Sequence, residues 1–520
     1  MRITKLKLTN FRSYREETVI LFDDMTAFVG KNDVGKSTIL EALDIFFNEG
    51  KGVIKIDSGD VNVSAAREGN CETTIAVCFS DLPASIVIDS TAETSFAAEH
   101  MLNNDGELEI VKKFTNGSGM KVYIRAIHPQ NANCAHLLVK KNSELKQIIN
   151  SNGIDCDNLT INHIIRHAIW EHFSDDLVYG EELIDASKED AKRIWDKIKT
   201  LLPVYSLFQS DRKNTDGDSE VQDPLKEAVK EILRNEEIQQ KLTQVAQSVE
   251  NALRDVASST LEKVREMDSS IASSLNPVIP SSADIKWQDV FKSVSISGDG
   301  DIPINKRGSG VKRLILLNFF RAQAEKLAAN GSSTGIVYAI EEPETSQHGN
   351  NQRVLVNALI SLASTDNVQV IITTHSPEVV KCLDFSNLRL IKANENLSRE
   401  VIHVNSAVLK YPSLNEVNYI AFGAATEEYH DELFSFLESK KWKKDFFQGQ
   451  PERIYLNGAH NPPRPEKHTL TDIIRHQIHH PENTLNAHYT MSELEQSIEL
   501  MRQYISQRMA QGSTNDDEEL

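Results

Sequence analysis

Over the first quarter of the chain, short apolar runs alternate with polar punctuation at the period of strands. Ile3–Leu8, Thr18–Phe22 and Met25–Val29 read as three strands, joined by a polar turn over Asn10–Arg15. A helix pattern follows over Ser37–Phe47, with Ile39, Leu40, Leu43, Phe46 and Phe47 on the apolar side. Strand-like runs return at Thr73–Phe79, Leu108–Phe114 and Lys121–Ile127, separated by turn residues such as Asn103–Gly106 and Asn116-Gly117. They predict a β-rich lobe. Residues 140–201 are mixed and mostly helical, ending at Pro203, after which Val204–Phe208 reads as another strand.

From Pro224 to Met267 no further glycine or proline interrupts a helical pattern, with Val229, Ile232, Leu233, Leu242, Val245, Val249, Leu253 and Val256 apolar. This predicts a long helical arm; an ordinary core helix folded back on the rest of the chain has the same pattern. Asp289–Ile296 reads as a strand, and Arg307–Leu314 opens a helix running to about Ala328. Ile336–Ile340 is a continuous apolar strand of the kind buried in a parallel sheet, and a helix over Asn351–Ala363 leads from it to the apolar strand Val368–Ile372. Beyond about residue 410 the pattern is helical, and Ser513–Leu520 is a polar acidic tail. No internal repeat is visible. The expected domains are a head over 1–215 and 281–408, an arm over 216–280, a helical docking domain over 409–512 and the tail over 513–520.

Composition narrows the class. At 520 residues the chain has room for two or three cores, and its formal charge of −20 argues against a general nucleic-acid coater. Nucleic acid would need a local basic surface, and Arg2, Lys5, Lys7, Arg12 and Arg15 offer one candidate. Five cysteines (71, 78, 134, 156, 382) lack a C-x-x-C pair, which fits a reducing cytoplasm. No apolar stretch reaches spanning length and the N-terminus lacks a signal-peptide core, so the expectation is a soluble cytoplasmic protein that makes no membrane contact.

The chemistry gathers in four places. Gly30-Lys31-Asn32-Asp33-Val34-Gly35-Lys36-Ser37-Thr38 fits G-x-x-x-x-G-K-[ST] between a strand and a helix, the context in which that motif cradles phosphates. Its backbone N–H groups and the helix start face anions, Lys36 reaches the β/γ-phosphates of ATP, and Ser37 is a Mg²⁺ ligand. Ser309-Gly310, at the start of a helix, suits contact with a γ-phosphate. An apolar strand ends in Glu341-Glu342: Glu341 is the candidate second Mg²⁺ ligand, and Glu342 the carboxylate that orients the attacking water. His375, at the end of the next strand, is placed to sense the γ-phosphate.

In this order the motifs resemble those of the RecF/SMC/OLD branch of ABC-class ATPases. The resemblance rests on Leu8–Arg15, the phosphate loop, IEEPE at 340–344, TTHSP at 373–377 and RGSGVKRL at 307–314, and covers about residues 1–405. It implies an α/β ABC-type P-loop head with an inserted β-rich lobe and helical arm, which suits the roughly 270 residues between Lys36 and Ser309. It also implies a homodimer of heads in which Ser309 of one protomer completes the site holding nucleotide on the other.

OLD relatives carry a nuclease domain built on a D-x-D strand, and none follows residue 400. Instead, 413–437 and 470–504 are similar to the C-terminal region of PtuA-type ATPases of Septu anti-phage systems, some of which accompany retrons, with PARIS-type ATPases a rival. That resemblance implies a separate nuclease subunit, of HNH type, and a complex that can include a retron ribonucleoprotein. Two alternatives stand beside it: a RecF-like repair ATPase, and a nuclease acting through Arg475-x4-His480, which fits a HEPN ribonuclease signature. The plainer reading is that the helix carrying this pair ends at Pro481 and packs an interface. Six C-terminal histidines (460, 468, 476, 479, 480, 488) raise the question of zinc, but no cysteine or acidic residue is read at a standard ligand spacing, so none is assigned. Lys440–Lys444, with Trp442 inside it, could meet nucleic acid but reads as a solvated or partner-facing turn.

Overall fold

The computed structural model describes residues 1–32, 34–49, 52–89, 92–209, 233, 236–267, 335–345, 349–393, 399–404, 413–458 and 462–512. It divides into two units, Met1–Ser210 with Leu327–Leu520, and Asp211–Lys326.

Two six-stranded sheets form the first unit's head. One contains β3 (Met25–Val29), β10 (Val204–Phe208), β11 (Ile336–Glu341), β12 (Val368–Thr374), β13 (Leu388–Ala393) and β14 (Arg399–His403), in the order β10-β11-β12-β3-β13-β14. All neighbours are parallel except β13 and β14. Every residue of β3 and β12 is buried, as are the first four of β11, because a parallel sheet is covered on both faces. The expected strands are therefore present, with β11 and β12 running one and two residues further than predicted.

The other sheet is antiparallel: β1 (Arg2–Thr9), β2 (Thr18–Leu21), β4 (Glu72–Ser80), β7 (Leu108–Thr115), β8 (Ser118–Pro129) and β9 (Tyr179–Asp185), in the order β2-β1-β4-β7-β8-β9. A small hairpin, β5 (Ile86–Asp89) and β6 (Ala92–Thr94), stands beside it. The first three strands of the chain are thus shared between sheets: β1 and β2 found the β lobe, while β3 enters the parallel sheet. Gln369 of β12 ties the two together, accepting from Ile3 N at 2.8 Å and donating to Ile3 O at 2.9 Å. Helix Lys36–Asn48 packs on β10, β11 and β12 and also touches β4, so Leu6, Phe28, Phe46, Phe79, Ile371 and Ile391 belong to one core.

Helix Glu189–Leu201 packs on β5 and β9, while helices Asn142–Asn152 and Asn162–His172 pack on each other around a small core of their own. Arg166, fully buried, donates from Nε to Glu99 Oε2 at 2.8 Å and from Nη1 to Asp190.

The C-terminal part has helices Leu414–Phe422, Glu427–Ser439, Lys443–Phe447, Leu470–His479 and Met491–Gly512 around a core of Tyr429, Leu433, Phe434, Ile474, Ile498 and Met501. The expectation of a purely helical domain is corrected: β15 (Glu452–Asn457) and β16 (Arg464–Thr469) form an antiparallel hairpin. That hairpin is mostly polar and exposed, so it offered no alternating apolar signal to read. Lys440 and Lys443 stand over the rings of Phe436 and Phe434, and Trp442 meets Phe436 edge-on, so the basic run packs a corner of this domain.

In the second unit, Glu236–Met267 is one helix of 32 residues, about 48 Å long. Pairs Glu237–Lys241 and Glu250–Arg254 brace its surface at i,i+4. Most of 216–235 and all of 268–280 of the expected arm, the expected strand at Asp289–Ile296, the helix opening at Arg307 and the acidic tail lie outside the described residues.

Candidate functional site

The carboxyl ends of β3, β12 and β11 lie side by side, with Val29 beside Thr374 and Glu341 beside Thr373. Ligand sites in parallel sheets form at such strand ends. Gly30 leaves β3 so close to β13 that an added Cβ would lie 2.9 Å from Ile391 O and from Val34 Cγ1. Gly35, at φ +99°, makes the left-handed turn into helix Lys36–Asn48, a conformation that a side chain would strain. Tyr14 braces the turn by donating to Gly35 O at 3.2 Å, and burial pushes its phenol up, keeping it a donor.

Lys36 opens the helix, almost completely buried, and its ammonium donates to Gly30 O and Lys31 O at 2.9 Å each. This folds the charge over the loop formed by Gly30, Lys31, Asn32, Val34 and Gly35; Asp33 is not among the described residues. Thr38 is buried in the first turn of the helix. Ser37 Oγ donates to Glu341 Oε1, so two oxygens 304 residues apart in sequence become neighbours. A hydroxyl beside a carboxylate is the hard oxygen pair that suits Mg²⁺, and a glycine-turned loop ending at a helix start with a lysine beside it suits phosphates. Both groups fit the residues present.

Glu342 follows at φ +43°, an uncommon conformation for a residue with a side chain. Its N–H is held by Thr373 O and Thr373 Oγ1, both at 3.1 Å, so β12 fixes the backbone at the neighbouring strand's end. Glu342 Oε1 lies 3.0 Å from His375 Nδ1. His375, expected to face a phosphate, therefore also touches the carboxylate expected to handle water.

Sequence reasoning assigned no role to Glu344, the third acid of the same run. It is 3 % exposed, accepts from Thr374 Oγ1 at 2.6 Å and from His375 N at 3.1 Å, and lies 3.7 Å from His375 Nδ1. Its Oε2 has no hydrogen-bond partner among the described residues. The available signal was spacing: acids on either side of Pro343, opposite a Thr-Thr-His strand end.

Ser309 and Gly310 lie outside the described residues. The N-terminal basic surface is corrected: Arg2 pairs with Asp24, Lys5 with Asp105 and Glu107, Lys7 with Glu109, Arg12 with Asp60 and Glu41, and Arg15 with Glu68. Acids on neighbouring elements neutralise it. In the C-terminal domain, Arg475 lies over the Phe434 ring at 4.6 Å and pairs with Asp431, which His479 also contacts at 2.7 Å. His480 caps the helix end and meets Glu482, so Arg475 and His480 pair with different acids. All five cysteines are free thiols, and no helix among the described residues is long and apolar enough to cross a membrane.

A family model described as "AAA ATPase domain" matches residues 1–380. Among curated proteins, the chain is 22 % identical over 418 residues to the "Retron Ec83 probable ATPase" of Escherichia coli, covering 75 % of this chain and 72 % of that protein. It is 26 % identical over 170 residues to the "OLD nuclease" of Thermus scotoductus, covering 33 % of this chain and 29 % of that protein. A solved SMC head bound to the C-winged helix domain of ScpA aligns over 77 % of this chain and 98 % of its own at 14 % identity, with a TM-score of 0.35. The matched family segment contains the phosphate loop, both glutamates of the β11 end and His375, and the chain belongs to the AAA ATPase domain family, as an ATPase with OLD-type and retron-associated relatives.

Proposed function

We propose that this chain is the ATP-hydrolysing subunit of an anti-phage defence assembly and that it controls a separate nuclease. The observation that carries the ATP chemistry is the meeting of Lys36 and Ser37 with Glu341, Glu342 and His375 at three adjacent strand ends. The loop N–H groups and Lys36 hold the β- and γ-phosphates. Ser37 and Glu341 would hold Mg²⁺, which when bound neutralises charge on the phosphate oxygens. Glu342 orients a water on the γ-phosphate and takes up its proton. His375 steadies that carboxylate from one side, and Glu344 fixes the backbone of His375 from beneath.

Two heads form the working unit, with Ser309 and Gly310 of one protomer facing the nucleotide on its partner's phosphate loop. The similarity to a retron ATPase supports placing the chain in a defence complex, with a nuclease of HNH type, a PtuB-like subunit, as the effector and a retron ribonucleoprotein as a further component. The domain after residue 409 is the surface on which these dock.

The decisive experiment mixes two inactive proteins. Ser309→Arg should bind ATP without hydrolysing it, and Lys36→Ala should do neither. Their mixture should hydrolyse ATP faster than either alone, through one composite site per dimer. Full activity of Ser309→Arg in dilute solution would reject the shared site. In the same preparations the wild-type chain alone should leave DNA and RNA intact with Mg²⁺ or Mn²⁺; cutting would move the nuclease into this chain.

A further inference from the structure

The structure corrects the reading of the C-terminal histidines, because an acidic residue does sit at ligand spacing to two of them. His468 is the penultimate residue of β16, Asp472 lies in the first turn of helix Leu470–His479, and His476 follows one turn later. Residues four apart share a helix face, and the strand-to-helix corner at Thr469 turns His468 onto it. Thr469 caps the helix by accepting from Asp472 N at 3.4 Å, which fixes where Asp472 begins. One ligand atom from each of the three lies within 4.8 Å of the other two, the only such group of three found among the described residues. Asp472 Oδ2 is shared: it contacts His468 Nδ1 and lies 4.0 Å from His476 Nε2.

The surroundings hold these groups as ligands are usually held. The other nitrogen of His468, Nε2, meets Glu466 Oε2 at 3.1 Å, the outer carboxylate that sets a metal-binding imidazole's tautomer and orientation. Tyr455, 3 % exposed, stacks on the His476 ring at 5.6 Å and meets the His468 ring edge-on at 5.6 Å. His468 and Asp472 are mostly shielded and His476 is half-buried, which leaves one side open.

We propose that His468, Asp472 and His476 bind one zinc-class divalent ion per chain, and that the ion clasps the β15–β16 hairpin to the helix. Two imidazoles and one carboxylate are a borderline donor set that favours Zn²⁺ over Mg²⁺ or Ca²⁺. Bonds of about 2.0–2.2 Å place tetrahedral ligands about 3.3–3.6 Å apart, so small side-chain adjustments close the present spacing. Three protein ligands leave a fourth position on the open side for water or a side chain of a docked subunit. The clasp is independent of the ATP site, and its failure would leave the ATPase reading untouched.

The test uses untagged full-length protein, stripped with chelator and free of nucleotide, titrated with ZnCl₂ by calorimetry, with bound metal measured after gel filtration. About one equivalent is expected, with a rise in melting temperature. His476→Gln, folded by circular dichroism and binding ATP as the wild type does, should weaken zinc at least about tenfold and lose the thermal shift. Asp472→Asn should do the same, so a misfolded single variant does not decide the matter. Less than a fifth of an equivalent, on the order of background, or equal zinc affinity in both variants would overturn the site. Mg²⁺ or Ca²⁺ binding as tightly as zinc would overturn its class.

Discussion

In the parallel sheet, β11, β12 and β3 are mostly apolar and carry no charged residue before Glu341 at the end of β11. In the antiparallel sheet, charged residues lie along the strands themselves and find partners across them. Glu109 of β7, 1 % exposed, takes Lys7 of β1 at 2.8 Å and Arg125 of β8 at 3.1 Å. Register explains the second pair, since Glu109 and Arg125 sit directly opposite one another. The difference separates two uses of polar residues. Acids along a paired strand meet charged residues across it, whereas Glu341 and Glu342, at a strand end beside a phosphate loop, meet Ser37 and His375. Changes at the parallel sheet's edge should therefore remove chemistry and spare stability, and changes among the lobe's ion pairs should do the reverse.

The largest effect is expected at Lys36. Lys36→Ala removes a charged donor of several hydrogen bonds, each worth about 1.5–3 kcal/mol, so ATP affinity should fall on the order of a thousandfold. Two of its present partners are carbonyls of its own loop, so melting should move by only a few degrees, on the order of 1 kcal/mol or less. Fluorescent-nucleotide binding beside a thermal scan checks both. Collapse of the fold would break the comparison.

Next comes Glu342→Gln, which keeps the shape and loses the base. ATP should bind as before while kcat falls by about 10²–10⁴-fold. Phosphate release at the wild-type rate would show that Glu342 does not handle the water.

On the lobe side, Arg166→Met should leave Glu99 and Asp190 buried without their common partner. Breaking such a pair costs about 3–5 kcal/mol, read as a drop in urea midpoint. ATP affinity of the molecules that remain folded should be unchanged. Loss of binding in folded Arg166→Met protein would show that the lobe also sets the nucleotide site.

The smallest effect sharpens the same contrast through pH. Lys112 of β7 is buried against Phe46 and Trp195 and donates to Phe46 O at 2.8 Å. Burial is the largest influence on it and outweighs the attraction of Glu49, lowering its pKa to about 8. The folded chain thus holds this proton less tightly than the unfolded one, and stability attributable to Lys112 rises from about pH 8 towards its ordinary pKa. Wild type should gain about 2 kcal/mol between pH 7.5 and 10 relative to Lys112→Met. Urea titrations of both proteins at the two pH values measure it, and parallel pH profiles would exclude a buried charged lysine.

Much of the head was legible because its signals are local. The apolar run of β3, Gly30, Gly35 and the helix starting at Lys36 lie within a few residues of each other, where covalent connection guarantees the geometry. Polar residues after mostly apolar runs likewise marked Glu341, Glu342 and His375 as candidates, whatever the rest of the chain did. The hairpin β15–β16 escaped because its faces are polar, and Asp472 escaped because its spacing to His468 crosses a strand-to-helix corner that pattern reading does not turn.

By itself, then, the sequence determined the phosphate loop, the apolar strands of a buried parallel sheet and the identity of the acids beside it. Tertiary structure alone decided which strands share a sheet. It sent β1 and β2 to the lobe and β3 to the nucleotide edge, because backbone pairing over hundreds of residues depends on where each buried face finds cover. It also brought Ser37 to Glu341, set Glu342 against His375, placed Glu344 beneath them and neutralised the N-terminal basic residues with distant acids. Charge and hydrogen bonding act over a few ångströms of space, and only the folded chain says which residues are that close.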